Sequence, residues 1–358
     1  MLNVDLRTLS VLLVAAVAVT FVGPASSEAS AAEPTWRELR TSGLSALENK
    51  QFDEAERYLL AAYEQAYAAG PKDSRFVPSV VSLARLYREE KEWAAAMSLL
   101  TKALGIQEKA SGVGHASTVK TLNEIAMIHY AQGDLLAAEG SWERALSIKR
   151  KQNGGELPGW LVNNLGEVYR RLGHTDRAEK LLVEALATKE RNKGDDDPAL
   201  ITTLNDLGVL YTDLKRFDDA KKALERAHVL AVRHLGPESD VLGTVLHNQG
   251  HMAYRQSQFE VAVTSYLAAV SVREKQPRRG QPDLARSLGG LANALMMARR
   301  YEASEEAIKR AIAVATEFHG AKNRSVAKLW SDYAMLLRTL KRTDEADAAA
   351  ARAQAATP

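Results

Sequence analysis

Two histidines, His247 and His251, lie four residues apart in a segment with helical periodicity. On a helix that spacing puts both rings on one face, where they could reach one metal ion. Asn248 stands where a zinc protease of the His-Glu-x-x-His type has its glutamate, and no third ligand is evident. We therefore expect these rings to be polar lining of a binding surface, and we expect no metal and no cofactor.

Asparagines form a second group that could bind a ligand, because asparagine is unfavourable inside helices. Asn123, Asn163 and Asn205 share one place in a repeating pattern, and Asn164 and Asn248 fall one residue later. A carboxamide donates and accepts hydrogen bonds, so a row of them can hold the backbone of an extended peptide. The alternative is that these side chains bond across neighbouring helices and stiffen the protein.

Cationic side chains and a glycine pair offer further binding chemistry. Arg170 and Arg171, together with Lys120, could take an acidic peptide or a C-terminal carboxylate. The alternative for these three is a solvated charged face. Gly289 and Gly290 either leave a pocket for a bulky side chain or allow tight helix packing.

Motifs for catalysis are missing from the sequence. There is no G-x-S-x-G nucleophile elbow, no phosphate-binding glycine loop and no dinucleotide fingerprint. The chain has no cysteine, which excludes disulfides, thiolate catalysis and cysteine-bound metal. A formal net charge of +2 over 358 residues is too small to indicate nucleic-acid binding. The sequence thus predicts a binding protein and not an enzyme.

The elements that position these residues follow from a repeat of 40 to 42 residues. A small residue marks each unit, and a second small residue follows twelve positions later. The first markers are Gly43, Ala84, Ala126, Gly166, Gly208, Gly250, Ala292 and Ala334; the second are Ala55, Ala96, Ala138, Ala178, Ala220, Ala262, Ser304 and Ala346. A mostly larger residue follows four positions later, and an alanine three after that. This pattern predicts two helices that cross closely at their small residues.

Glycines and acids punctuate the units. We expect a recurring glycine to be the left-handed residue that ends the second helix. These glycines are Gly70, Gly112, Gly154, Gly194, Gly236, Gly280 and Gly320. Acidic residues are expected at the start of many second helices, where free amides favour an oxygen acceptor. These are Asp53, Asp134, Asp176, Asp218 and Asp344.

The pattern resembles the tetratricopeptide repeat. The fourth unit has Leu165-Gly166, Tyr169, Ala178, Leu182 and Ala185 in the family's order. The 42-residue period and the segments 121–126 and 234–239 are similar to the kinesin light chain type. The resemblance covers residues 34–355 and implies an all-α, right-handed superhelical solenoid of about eight helical hairpins. The implied repeats lie near 36–75, 77–116, 119–157, 159–197, 200–239, 241–281, 284–322 and 325–355.

This resemblance also implies a concave groove, lined by the first helix of each unit, for a protein or peptide. In kinesin light chain repeats a groove asparagine holds peptide main chain, which implies that role for Asn164 and Asn248 and, by extension, for Asn123 and Asn205. The predicted groove residues are Lys120, Asn123, Trp160, Asn163, Asn164, Arg170, Arg171, Asn205, His247, Asn248, His251, Tyr254 and Asn293.

The first thirty residues have the layout of a secretory signal. Arg7 precedes an apolar stretch, Leu9 to Val22, and a small-residue run offers cleavage after Ala31. As a helix the stretch covers about 21 Å, less than the roughly 30 Å of a bilayer core. We expect a signal peptide over 1–31 and a mature chain, 32–358, that is periplasmic or secreted with no stable membrane span. The alternative is a membrane anchor that stays uncleaved.

Together these features predict an extracytoplasmic scaffold that binds proteins or peptides in its groove. The alternative is a structural or self-assembling spacer in an envelope complex, without a peptide ligand.

Overall fold

The computed structural model describes residues 34–70, 72–152, 157–275 and 281–357. These residues form sixteen α-helices and one short 3₁₀ turn, with no strand among them. The predicted all-α repeat fold is confirmed. The predicted signal peptide over 1–31, together with Gly154 and Gly280, lies outside the described residues.

The helices follow one another as eight successive pairs. They are α1 Trp36–Glu48 and α2 Phe52–Ala68; α3 Phe76–Glu89 and α4 Trp93–Ser111; α5 Val119–Gln132 and α6 Leu135–Arg150; α7 Gly159–Leu172 and α8 Thr175–Lys193; α9 Leu200–Asp213 and α10 Phe217–Leu235; α11 Asp240–Arg255 and α12 Phe259–Glu274; α13 Gln281–Met297 and α14 Tyr301–His319; α15 Arg324–Thr339 and α16 Thr343–Ala355. The 3₁₀ turn, Ala116–Thr118, precedes α5.

By their internal contacts the helices form two compact units. The first unit ends at Leu172 with α7, and the second begins at Gly173 and contains α8 to α16. Each has a core of buried alanine and leucine, with aromatic side chains among them. The two units are described separately below.

Within a hairpin, the marker residue is small because a large side chain of the second helix lies against it. A methyl group on Gly208 would lie 2.5 Å from Leu224 Cγ, and one on Gly43 would lie 2.6 Å from the Cγ of the equivalent leucine, Leu59. The two small marker residues of one repeat also contact each other, since Ser304 Oγ donates to the carbonyl of Ala292 at 2.7 Å. The close crossing predicted from the spacing is therefore present in these hairpins.

The turn inside each hairpin contains one residue with positive φ. In two turns this residue is glycine, Gly133 or Gly173; in the other six it is Lys50, Lys91, Lys215, Ser257, Arg299 or Lys341, with φ between 59° and 65°. Left-handed backbone costs a non-glycine residue about 1 kcal/mol or more. A backbone bond closes the turn in return, as from Arg216 N to Tyr211 O at 2.8 Å.

The glycines between hairpins end the second helices as predicted, but in a different backbone region. Gly112, Gly194, Gly236 and Gly320 have φ between 79° and 90° and ψ between 152° and 173°. The expected left-handed helical conformation is wrong for these four, because their backbone is extended with reversed φ. That region is essentially restricted to glycine, so the residue type at these positions is fixed by the backbone.

At four junctions, consecutive hairpins are joined by a tyrosine–glutamate hydrogen bond. The hydroxyl on the first helix of one hairpin donates to a carboxylate on the second helix of the preceding one. These pairs are Tyr87–Glu56 at 3.0 Å, Tyr169–Glu143 at 2.9 Å, Tyr211–Glu179 at 3.2 Å and Tyr333–Glu305 at 2.8 Å. The tyrosine that carries the family resemblance is thus a tie between repeats.

A second kind of link between consecutive hairpins occurs at every other junction of the described residues. A long polar side chain on the second helix bonds a backbone carbonyl ten residues on and a hydroxyl fourteen residues on. Gln107 bonds Ser117 O and Thr121, Lys189 bonds Ala199 O and Thr203, and Arg273 bonds Asp283 O and Ser287. The next residue in each case is a glutamate paired with an arginine 36 residues on: Glu108–Arg144, Glu190–Arg226 and Glu274–Arg310. At the other junctions, the position equivalent to Gln107 is mostly alanine: the residues there are Ala66, Lys149, Ala231 and Ala315.

Candidate functional site

A cavity of about 580 Å³ lies in the second unit, on the side formed by the first helices α11, α13 and α15. Tyr266 of α12 and the end of α14, at Ala315 and His319, complete its wall. This volume is within the usual range for ligand sites, and its apolar walls with a few polar groups are typical of them.

Two glycines shape the cavity. A methyl group on Gly290 would lie 2.6 Å from the Tyr266 ring, and one on Gly289 would lie 2.8 Å from a Leu329 methyl. Both glycines also line the cavity. They therefore combine the two interpretations offered by the sequence: they let neighbouring helices pack closely and leave the wall without side chains.

His247 is held in one orientation at the side of this cavity. Its Nδ1 lies 3.1 Å from the hydroxyl of Ser287, and its ring meets the Tyr266 ring edge-on at 5.2 Å between centroids. The Ser287 hydroxyl also accepts a hydrogen bond from Arg273, so this serine links the buried guanidinium to the imidazole.

Burial, with the positive charges of Arg286, Arg273 and His251 adding to it, lowers the pKa of His247 well below its ordinary value. The unfolded chain therefore binds a proton near pH 6.5 that the folded protein does not bind until a much lower pH. We expect the free energy of unfolding to fall as the pH drops below about 6.5, by up to about 1.4 kcal/mol per pH unit. Urea unfolding between pH 7.5 and 5, followed by Trp330 fluorescence, measures this slope. His247→Asn should make the slope shallower, and an unchanged slope would contradict the assignment.

Charged groups of both signs surround the cavity. Arg286 pairs with Asp283 at 2.8 Å, and Lys328 pairs with Asp332 at 2.7 Å. Asn293 Nδ2 donates to the same Asp332 carboxylate at 3.3 Å. A third cation of the lining is Arg255, which lies 3.6 Å from a carboxylate outside the lining. The lining ions are Arg255, Arg286, Lys328, Asp283 and Asp332, a net charge of +1 with neutral histidines.

The structure brings four of the thirteen predicted groove residues to this cavity: His247, His251, Tyr254 and Asn293. Two others, Asn205 and Asn248, lie on the adjacent first helices α9 and α11 and bond to each other at 2.8 Å.

The other seven predicted residues belong to the first unit. Asn123 Oδ1 accepts from the Trp142 indole at 3.0 Å, and the Asn164 amide contacts the Met127 sulfur at 3.8 Å. Arg170 pairs with Glu167 at 2.9 Å; Arg171 lies 4.0 Å from that carboxylate and over the Tyr130 ring at 5.2 Å. On this unit's surface Lys120 and Trp160 are exposed, and Asn163 is half-buried.

The lining residues that were not predicted include Tyr266, Asp283, His319, Lys328 and Asp332. Lys328 and Asp332 occupy the same repeat positions as Lys120 and Glu124, so extending the periodic stripe to the last unit would have found them. Tyr266 and His319 belong to second helices, which the predicted groove left out. Their sequence neighbourhood contains no signal that would place them in a binding surface.

Two further features bear on partners. Among the described residues, no three or more histidine, aspartate or glutamate side chains are grouped so that they could hold a metal ion. In the same part of the chain, every helix is too short or too polar to cross a bilayer.

Comparison with known families agrees with this architecture. A family model described as tetratricopeptide repeat matches residues 76–151, 117–191, 157–231, 200–275 and 283–357, and a second one matches 247–318. The chain belongs to the tetratricopeptide repeat family. Its fold is that of a protein-binding scaffold.

Three solved structures illustrate the shared fold. BtubC (BKLC) from P. vanneervenii is 20% identical, with a TM-score of 0.52 over 64% of this chain and 92% of that one. A kinesin light chain repeat protein of Podosopora anserina is 21% identical, with a TM-score of 0.50 over 56% and 95%. A Rap protein complexed with Competence and Sporulation Factor is 12% identical, with a TM-score of 0.56 over 90% and 97%. Comparison with curated proteins gave no match.

Proposed function

We propose that this tetratricopeptide repeat protein is an extracytoplasmic scaffold that binds a protein or peptide at the cavity of its second unit. The observation that supports this most is the cavity itself, which combines apolar walls with fixed polar groups on three consecutive first helices. The protein acts by binding, since its groups are placed to hold a partner and the sequence has no catalytic motif.

Rigidity supports the same function. The lining side chains stand on helices tied to one another by buried polar bonds, as between Arg273 and Ser287. A preformed site loses little conformational entropy on binding, so more of the contact energy appears as affinity. The Rap protein of similar fold was solved in a complex, which favours a bound partner here as well.

Partner capture in the native host tests this proposal. Gentle cross-linking of the wild-type protein, followed by mass spectrometry, should recover a defined partner. Arg286→Glu reverses a half-exposed charge at the cavity and should reduce recovery about tenfold or more. Arg233→Glu is the matched control, because Arg233 is equally exposed in the same unit but lies outside the cavity. Equal recovery with both variants would place the binding site elsewhere.

The first unit can be tested in the same experiment. Asn164→Ala and charge reversal of Arg170 and Arg171 change the predicted stripe on α7 without touching the cavity. We expect these variants to keep most of the partner. Loss of the partner in these variants alone would assign binding to the first unit.

Export is proposed from the sequence of residues 1–31. Mass spectrometry of the protein from the envelope fraction should find a mature chain that begins at Ala32. An intact N-terminus in the membrane fraction would support the uncleaved anchor, and an intact chain in the cytoplasm would reject export.

The self-assembling spacer remains the second candidate function. Light scattering of the purified protein distinguishes it, because a spacer forms oligomers that grow with concentration when no partner is present. A constant monomer mass would exclude it.

A further inference from the structure

A second groove of the same unit lies between the second helices α12 and α14 and has a volume of about 340 Å³. Its floor is formed by three leucines of α13, which belong to the hydrophobic core and are each at most 5% exposed: Leu288, Leu291 and Leu295. The wall on α14 is low, because its central residues are Ala303 and Ala307. A side chain that enters this groove would therefore contact the core of the unit directly.

The other wall of the groove, α12, has an apolar outer face. Residues 261–272 contain no charged side chain, the longest such run in any of the second helices. Val261 is 54% exposed and Leu267 is 48% exposed. Thr264 and Ser271, also exposed, lie on the same face of the helix. A helix that is apolar on all sides is normally buried, which indicates that another molecule covers this face of α12.

An acid and an arginine lie at each end of the groove. Glu260 on α12 lies 3.5 Å from Arg300, the residue that precedes α14, and Glu274 on α12 pairs with Arg310 on α14. In both pairs α12 supplies the acid, and the arginine comes from α14 or its cap. The two edges of the groove thus have opposite charges at both ends. When one copy is turned over about the long axis of the groove, its acidic edge faces the basic edge of the other.

We propose that a second copy of this chain covers the groove, with α12 of each copy lying against α14 of the other about a two-fold axis along the groove. The sizes of the side chains agree with this pairing. Leu267 of one copy meets Ala303 and Ala307 of the other, and symmetry makes the same contact a second time. A chemically unrelated partner would have to supply both the apolar knob and the matching charges, whereas this chain already carries them.

This inference goes beyond the proposed function, because the groove and the cavity on the first helices share no lining residue. Two copies joined at the groove would carry two cavities. The pairing is also closed, since each copy uses the same face, and a closed dimer does not grow into the open-ended assembly of a spacer.

Sedimentation equilibrium of the full chain, purified from its native host, tests the inference. From about 1 µM to about 200 µM, a range that covers weak interfaces, the mass should rise to that of two chains and no further. Leu267→Lys places a charge in the apolar contact and should raise the dissociation constant of the dimer about tenfold or more. Val183→Lys is the matched control, because Val183 is 45% exposed at the equivalent repeat position of α8. This variant should stay within about twofold of the wild-type value.

Disulfide trapping tests the orientation, since the chain has no cysteine of its own. A mixture of the single variants Leu267→Cys and Ala303→Cys should form a cross-linked dimer on mild oxidation, because the pairing brings these positions together. A mixture of Val183→Cys and Ala303→Cys should not.

Three results would each overturn the inference: the mass of one chain at every concentration, a dimer that Leu267→Lys and Val183→Lys weaken equally, or a mass that grows beyond two chains. Cross-linking of Leu267→Cys with itself alone would contradict the proposed pairing of α12 with α14. Capture of a partner that depends on Arg286 would still support the function proposed above, so the two proposals can fail separately.

Discussion

Replacing Arg273 with alanine should lower the free energy of unfolding of the second unit by about 3 kcal/mol or more. The side chain is completely buried, and its guanidinium bonds Asp283 O at 2.9 Å, Thr244 Oγ1 at 3.1 Å and Ser287. Alanine would leave these acceptors without their donor and open a void between α12 and α13. Urea unfolding followed by Trp330, the only tryptophan of the second unit, measures the loss.

Lysine is the matched control at this position. Lys189 holds the equivalent place two hairpins earlier and makes the same pair of bonds, to Ala199 O at 3.0 Å and to Thr203 at 2.7 Å. Arg273→Lys should therefore cost only about 1 kcal/mol. If Arg273→Ala lowers the free energy of unfolding no more than Arg273→Lys does, the free energy required to bury the guanidinium offsets its hydrogen bonds. Such an offset occurs for some buried ion pairs.

Trp142→Ala should have the second large effect, a loss of about 3–5 kcal/mol from the first unit. The ring is 1% exposed, packs 6.1 Å from the Tyr130 ring and donates its indole proton to Asn123 at 3.0 Å. Alanine removes the largest fully buried side chain of the α5–α6 hairpin. Hydrogen exchange of the α5 and α6 amides locates the loss, because repeat arrays do not always unfold in one step.

Phenylalanine separates packing from hydrogen bonding. Trp142→Phe keeps most of the ring and removes only the donor to Asn123, so it should cost about 1–2 kcal/mol. Leucine occupies the same place in the second and fourth repeats, at Leu100 and Leu182. A loss below about 1 kcal/mol for alanine would mean that the hairpin collapses around the void.

Sequence spacing predicted the hairpins because their geometry depends on a few side chains at fixed intervals. Gly208 must be small since Leu224 lies against it, and that contact repeats with the period. The turns were not predicted, because residues such as Lys215 and Ser257 have no intrinsic preference for positive φ. Tertiary contacts of the flanking helices impose that conformation on whichever residue stands there.

The asparagines show where sequence reasoning reaches its limit. A carboxamide at the predicted place can bond a ligand or the neighbouring helix, and residue type does not distinguish these outcomes. In the structure Asn205 bonds Asn248 across α9 and α11, and Asn123 accepts from Trp142. These contacts agree with the stiffening alternative, and binding of a peptide by these groups stays a prediction.

The candidate cavity was partly foreseeable. His247 and His251 were predicted from their spacing on one helix, and the structure places both in the lining. His319 could not be predicted, because it lines the cavity from the end of a second helix, α14, and the spacing of groove positions covers first helices only. Tyr266 looked like an ordinary core residue, and its role in the wall follows from the two glycines on α13.

The alternation of junction chemistry defines the module from which such an array can be lengthened or shortened. Gln107, Lys189 and Arg273 recur at intervals of 82 and 84 residues, so the smallest block that reproduces both kinds of junction is two hairpins. Removing one such block would join like surfaces, whereas removing the single hairpin α5–α6 would set Gln107 against Leu161, which has no hydroxyl. The module that can be added or removed is therefore two repeats long.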